Sequence, residues 1–593
     1  MYRNVLYFRQ RRVLDMRLNT VNSPNATSYY VIKDVEKNGK RSTQVVEKLG
    51  TREDLLARCG DLDPLTWAKT YIEELNRREK EGQLDYIAKY SSAKQLEKGQ
   101  QREFKGGYLF LQSLYHQLGL PRICRQIEKD TKITYPLSDL LNMLVTTRIL
   151  EPASKRSSLA SAQDYLEKPD FALHQIYRSL EVLARNSDYL QAELYKNSKQ
   201  LAKRNDKILY YDCTNYYFEI EAEEGLKEYG HGKEHRPNPI VQMGLFMDAD
   251  GLPLAFRLFS GSENEQPSLR PLEETILRDF NLSRFIVCTD AGLASQENRM
   301  FNNEGERAYI VTQSLKTLKK HLQDWALDSK DWQLKHSDER YDLSKVDLYA
   351  DSQRDLVYYK SRWIKENGLE QQLIVTFSAK YQLYQQGIRA QQIERAQKKV
   401  AKPASLERKK ANDPNRFVKR LAVTPDGEVA QKDIYYLDEA AIAKEARFDG
   451  FYGVCTNLED DPLSILAVNR GRWEIEACFR IMKSELKSRP VYLKRDNRIQ
   501  AHFLTCFIAL LVYRILTKKI RLRLPEENPS GESIVKTLGK MNFLEKVGEG
   551  YIPTYTRTDL TDALHDEFGF RTDLEFVPKK TMRKIVRMTK AEK

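Results

Sequence analysis

Ile208-Leu-Tyr-Tyr-Asp-Cys-Thr-Asn215 is the stretch on which the reading of this chain turns. It is a β-prone aromatic run with one carboxylate, Asp212, in its middle. A carboxylate in mid-strand is costly to bury unless it is paired or holds a metal. Seventy-eight residues on (290 − 212), Phe285-Ile-Val-Cys-Thr-Asp-Ala-Gly292 repeats the arrangement. It is a short apolar run, of the kind buried at a sheet centre, that ends in Asp290. Between the two, residues 240–247 and 252–259 flank Asp248-Ala-Asp-Gly251, a hairpin with a matching turn. Another 186 residues along (476 − 290), Arg472-Trp-Glu-Ile-Glu-Ala-Cys-Phe-Arg-Ile-Met-Lys483 reads as a helix carrying a third acid, Glu476. At about 100° per residue, Arg472, Glu476, Phe479 and Lys483 fall in one narrow stripe, with Arg480 a step aside.

Each acid also has an ordinary structural use. Asp212 can hydrogen-bond neighbouring backbone. Asp290 before Ala-Gly-Leu-Ala-Ser suits a helix cap. Glu476 between Arg and Lys suits a surface ion-pair ladder. Their order is a strand with Asp, a hairpin, a strand ending in Asp, and a later helix with Glu. That order predicts an α/β fold, an RNase H-like mixed sheet with flanking helices in which three carboxylates converge. Hard divalent cations take such oxygen ligands, and two of them can clamp the attacking and leaving oxygens of a phosphodiester.

The remaining composition agrees with a globular protein acting on a polyanion. The 593 residues call for several domains. Hydrophobic residues at 41% and charged residues at 31% exclude a disordered chain. A formal net charge of +13 favours polyanionic partners, although ribosomal and membrane-surface proteins share that bias. Seven cysteines without a C-x2-C pair read as buried thiols in a reducing compartment, which disfavours a zinc site. The N-terminus lacks the apolar core of a signal peptide, and Met16 is an alternative start that makes the first fifteen residues a dispensable leader. The most apolar stretch, residues 501–516, contains His502 and Arg514 and is short for a bilayer, so a buried helix, no membrane and a cytoplasmic location are expected.

Six regions are expected. Residues 1–105 hold a hairpin around Lys37-Asn-Gly-Lys40 and charged helices. Residues 106–205 are helical, serving either DNA binding or packing alone. Residues 206–314 are the first part of the RNase H-like core. Residues 315–448 form a β-rich, basic insertion domain, with strands at 341–349, 356–363 and 373–377 and a helix at 381–402. Its run from Glu394 to Arg420 has ten Lys/Arg against three Asp/Glu, either a solvated face or a phosphate contact. Residues 449–520 complete the core with the third acid, and 521–593 form a basic C-terminal region.

The chain resembles the insertion-sequence DDE transposases, which carry a Y-x2-R-x3-E-x6-K signature around the third acid. Arg472, Glu476 and Lys483 match its R, E and K, and Asn469 stands where the family has tyrosine. Gly232-Lys-Glu-His-Arg-Pro237, Gly251-Leu-Pro-Leu254 and Lys487-Ser-Arg-Pro-Val-Tyr492 are similar to family segments too. The resemblance implies that Asp212, Asp290 and Glu476 are the catalytic acids and hold two Mg²⁺ or Mn²⁺ ions. It implies that Arg472, Arg480, Lys483 and Arg236 contact DNA, with His235 either beside them or in a plain turn. It implies hydrolysis at the element's ends, 3′-hydroxyl strand transfer into target DNA, and a homodimer pairing two terminal inverted repeats. The tyrosine's phosphate contact is left open by Asn469. Two other readings fit the same residues: a nuclease of this fold that cuts without joining, and a catalytically inactive, transposase-derived DNA-binding protein.

Overall fold

The computed structural model describes residues 15–592 apart from 24–25, 38–39, 61–62, 82–91, 94, 132, 231, 233–235, 348–349, 401–412, 424–428 and 548. By its contacts the chain divides into two units. One is Met1–Leu109 with Asp164–Leu166 and Gly539–Lys590; the other is Phe110–Gln163 with Glu167–Leu538 and Ala591–Lys593. Residues 521–593, read from the sequence as one region, therefore divide between the two.

In the first unit, strands Arg17–Ser23, Ala26–Lys37 and Lys40–Thr51 form an antiparallel sheet. Lys37 pairs with Lys40, as the hairpin reading requires; Asn38 and Gly39 lie outside the described residues. Thr51 ends the sheet and starts the helix Arg52–Cys59. Its hydroxyl accepts the Asp54 N–H while the Asp54 carboxylate accepts the Thr51 N–H, a capping box. Val31, Leu49, Leu55, Ala68 and Ile72 close the core. A second sheet joins Glu103–Lys105 to Asn542–Lys546, Gly550–Pro553 and Val577–Pro578.

The second unit is built on an eight-stranded sheet in the order Tyr358–Glu366, Leu369–Phe377, Phe451–Thr456, Ala308–Gln313, Ile286–Thr289, Ile208–Tyr217, Ile240–Asp248, Pro253–Ser260. The last three strands are antiparallel to one another. Ile286–Thr289 runs parallel to Ile208–Tyr217, and Ala308–Gln313 parallel to Ile286–Thr289. Parallel neighbours need a crossover, and the helix Leu269–Asp279 lies on the path to Ile286–Thr289. At the hairpin turn Asp248 accepts the N–H groups of Asp250 and Leu252 and is ion-paired in the interior with Arg204 at 2.5 Å. On one sheet face Leu209, Tyr211, Cys213 and Val287 pack against Leu269, Leu272 and Ile276. On the other, the helix Asp496–Arg523 sets Phe503 4.6 Å from Tyr216 and Phe507 5.2 Å from Phe256. That helix is long and apolar enough to cross a membrane, but 89% of its most apolar window is buried inside the protein, as expected of a core helix.

The region 106–205 is helical as expected, and its helices Leu137–Leu150 and Leu173–Arg185 pack against Asp496–Arg523. Two expectations fail. Residues 341–347 are not a strand: Tyr341 makes a lone bridge to Trp332, and Asp342 then turns the chain by accepting the Ser344 N–H at 3.1 Å. Such a local bond competes with a ladder; residues 348–349 lie outside the described residues. Nor do residues 315–448 form a β-rich domain of their own. The two long strands add to the main sheet, with Leu369–Phe377 paired along Phe451–Thr456. Their apolar residues Tyr358, Leu373 and Val375 share one core with Tyr309 and Cys455. The rest of that span holds the helices Ala379–Val400 and Glu439–Ala446 and a small two-stranded sheet, Val418–Val423 with Val429–Leu437. Residues 401–412 of the basic run lie outside the described residues.

Candidate active site

Strand geometry sends alternate side chains to opposite faces. In Ile208–Tyr217 the odd positions Leu209, Tyr211 and Cys213 enter the core described above. The even positions face the other way. The Tyr210 hydroxyl donates to the Val468 carbonyl at 2.9 Å. Tyr216 reaches the Met482 sulfur at 3.9 Å, and the Lys483 ammonium lies 5.3 Å from its ring centre. Asp212 stands between Tyr210 and Tyr216 on this face. Glu476 stands between Val468 and Met482 on the segment laid across it.

Asp290 is brought in by register. Ile208 pairs with Ile286, Leu209 with Val287 and Tyr210 with Cys288. The offset of 78 (286 − 208) is the one separating Asp212 from Asp290, so the register, carried two residues past the last pair, sets Asp290 just beyond its strand's end at the level of Asp212. Cys288, two residues before Asp290, receives the Asn469 amide at 3.9 Å, so that position also faces the Val468 side. At the strand end Asp290 caps the next turn, its Oδ1 accepting the Leu293 N–H at 3.2 Å. The expected cap is real and, among the described residues, engages one oxygen only. Asp212 is 9% exposed, and its Oδ1 accepts the Cys213 N–H at 2.7 Å.

Glu476 lies on the helix Trp473–Arg480 and is exposed. It makes no ion pair among the described residues; Glu474 does, with Arg514 at 2.5 Å. The single stripe expected of Arg472, Glu476 and Lys483 holds for its first two members, which line one cleft, and is interrupted before Lys483. Arg472 is the residue preceding the helix, and from Ile481 to Glu485 the chain takes a wider π turn closed by Leu486 N–H on the Ile481 carbonyl. That turn, a feature common at functional sites, moves Lys483 toward Tyr216. Arg480 is exposed. The Arg472 Nε is buried without a hydrogen-bond partner among the described residues. Arg236 is exposed and stacks 4.2 Å from the Tyr217 ring centre, at the end of the Asp212 strand. His235 lies outside the described residues.

Two residues escaped the sequence reading. A cleft of about 240 Å³ beside Glu476 is lined by Tyr452, Asn469, Arg470, Arg472 and the 59% exposed Trp473. In it the Tyr452 hydroxyl donates to Asn469 Oδ1 at 2.9 Å. A tyrosine hydroxyl thus comes to position 469 from the strand Phe451–Thr456. Arg489 lies 5.6 Å from the ring centre of Tyr217, the ring that Arg236 also stacks on. Arg489 lay within the family-like segment Lys487-Ser-Arg-Pro-Val-Tyr492 without a role of its own, and Tyr452 had no signal, because its place depends on a pairing between remote segments.

By its chemistry, three carboxylates, the donor set suits a hard divalent ion, and among the described residues one oxygen of Asp290 and both of Glu476 are uncommitted. It is a shared face and register rather than a closed cage, for among the described residues no three His, Cys, Asp or Glu side chains group tightly enough to hold a metal.

Residues 218–512 match the family model described as "Transposase DDE domain". Over this span the chain belongs to that family, and the match includes Asp290 and Glu476 and begins six residues after Asp212 (218 − 212). No curated protein matches the chain. Among solved structures it is similar to the piggyBac transposase synaptic complex with hairpin DNA, with a TM-score of 0.36, 9% identity, and coverage of 83% of this chain and 88% of that one.

Proposed function

We propose that this transposase is a metal-dependent enzyme that cuts a DNA strand at the ends of an insertion sequence and joins the freed 3′-hydroxyl to target DNA. The observation that carries the reading is the shared register of Asp212 and Asp290 on the sheet face crossed by the Glu476 helix. The strand order, three antiparallel strands followed by two parallel to the first, supports an RNase H-like core.

In this reading Asp212, Asp290 and Glu476 would hold two Mg²⁺ or Mn²⁺ ions, which supply charge neutralisation and activation of the attacking oxygen. The chain's own part is positioning. The carboxylates fix where the scissile phosphate is drawn. The buried Arg472 Nε, without a hydrogen-bond partner among the described residues, is a donor kept for a phosphate oxygen. Arg480, Lys483 and Arg236 line the approach and steady the backbone on either side. Two copies of the chain would bring two terminal inverted repeats together.

Asp212→Asn, Asp290→Asn and Glu476→Gln test the assignment in one cleavage and gel-shift series with Mg²⁺, labelled element ends and a target plasmid. Each should lose cleavage by at least about a thousandfold while end binding persists. Asparagine at 290 keeps the cap on Leu293, so folding should be spared. Metal-dependent cutting retained by any variant removes that residue from the site. Nicks without joined products in the wild type would identify a nuclease instead.

A further inference from the structure

Beyond Glu476 and its π turn, the segment Lys487–Leu493 forms one wall of a second cavity, of about 200 Å³. The opposite wall is the start of the helix Lys155–Ala162 and the end of Leu137–Leu150. Four cations line the cavity, Arg148, Lys155, Lys487 and Arg489, and among the described residues no carboxylate lines it.

Arg148 holds the walls together. Its guanidinium donates to the carbonyls of Leu486 and Lys487 on one side and of Ala153 on the other. Lys155 has no such duty. It is 5% exposed, and among the described residues it has neither a hydrogen bond nor an ion pair. Burial and the neighbouring Arg148 push its ammonium down to about 7. The remaining titratable groups give little compensation: ionised Cys506 would favour the ammonium, while His502 is committed to the Ser488 carbonyl at 3.0 Å and is held well below its ordinary value by burial. The Cys506 thiol is pushed up by burial. A buried ammonium beside a guanidinium with no counter-charge is unfavourable unless an anion completes the set. Ser154 caps the adjoining eight-residue helix through the Ser157 N–H, so the N-terminal amides of that helix add to the same field.

We propose that this pocket binds one phosphate group, and that in the working protein it is a backbone phosphate of the DNA strand held at the acids. The second half rests on the transposase reading. It is supported by a basic path on the Asp212 face, since Arg489 belongs to the pocket and acts on Tyr216, whose ring centre also lies 5.3 Å from the Lys483 ammonium, four residues along the strand from Asp212. Four strand residues span roughly 13 Å.

The test uses the full chain and two probes, inorganic phosphate at constant ionic strength and a labelled element-end duplex titrated against salt. Wild type should bind phosphate saturably by calorimetry, and Lys155→Met should weaken that binding at least about tenfold, with Arg489→Gln as a second variant on the half-buried wall. For DNA, Lys155→Met should lower the salt slope by about one. Phosphate binding that is unchanged in both variants overturns the pocket. Phosphate binding lost with the DNA slope unchanged overturns the DNA half and leaves a site for free phosphate. A wild-type protein that binds phosphate in a Lys155-dependent way but never binds or cuts DNA sinks the transposase chemistry and leaves the pocket standing.

Discussion

Glu474 and Glu476 sit two residues apart on one helix and do different things. Two helical steps put them roughly 200° apart. Glu474 therefore meets Arg514 of the core helix, while Glu476 stays exposed and uncommitted. A third glutamate is more unusual. Glu273 is fully buried; one oxygen accepts from Asn302 at 3.2 Å and the other has no partner among the described residues. Burial raises its carboxyl from an ordinary 4.5 to about 8. The folded chain keeps a proton that the unfolded chain releases, so the stability tied to that proton is complete below about 4.5 and is lost as pH climbs to about 8. Glu273→Gln keeps the shape without the ionisation. Its gain over wild type should be on the order of 2–4 kcal/mol larger at pH 8 than at pH 5 in urea unfolding. An equal gain at both pH values would mean that the carboxylate is already charged in the fold.

At the scale of elements, the hairpin turn at Gly251 is tied to the Glu476 helix. Gly251 has φ +76°, and a Cβ there would overlap the Arg514 guanidinium. Arg514 donates to the Gly251 carbonyl at 2.7 Å and to Glu474 at 2.5 Å, joining turn, core helix and the Glu476 helix. Gly251→Ala should cost about 1–3 kcal/mol and reduce cleavage as Glu474 loses its partner. Thermal denaturation and cleavage rates check both, and an unchanged melting temperature would show that the turn yields. This hairpin was legible in the sequence because Asp248-Ala-Asp-Gly251 carries its own turn chemistry. So were the Asp212 strand, the short Asp290 strand and the buried helix over 501–516, each marked by local pattern. Pairings at long range were not. Nothing local in Leu369–Phe377 says that it will pair with Phe451–Thr456, or that Glu103–Lys105 will pair with Asn542–Lys546. Of the candidate site, the three acids were legible as candidates from residue type and order. Tyr452 and Lys155 were not, because a strand register and a cavity wall put them where they lie.

The whole molecule carries a formal charge of +13, and cations gather along the Glu476 segment and its continuation. Binding to DNA should then fall steeply between about 50 and 200 mM salt. Lys483→Ala should weaken it by a similar factor for every sequence tried and lower the slope of log affinity against log salt by about one. Anisotropy titrations at four salt concentrations measure this; an unaltered slope would take Lys483 out of the interface.

The common level of Asp212 and Asp290 also bears on how such a gene decays. Side chains alternate, so losing or gaining a single codon inside either strand would turn one carboxylate to the far side of the sheet. The apolar alternation would suffer with it. Length changes in the connecting loops leave both strands in phase. Copies scarred by small deletions should therefore be silenced when the scar falls within 208–212 or 286–290 and spared when it falls in the turns between.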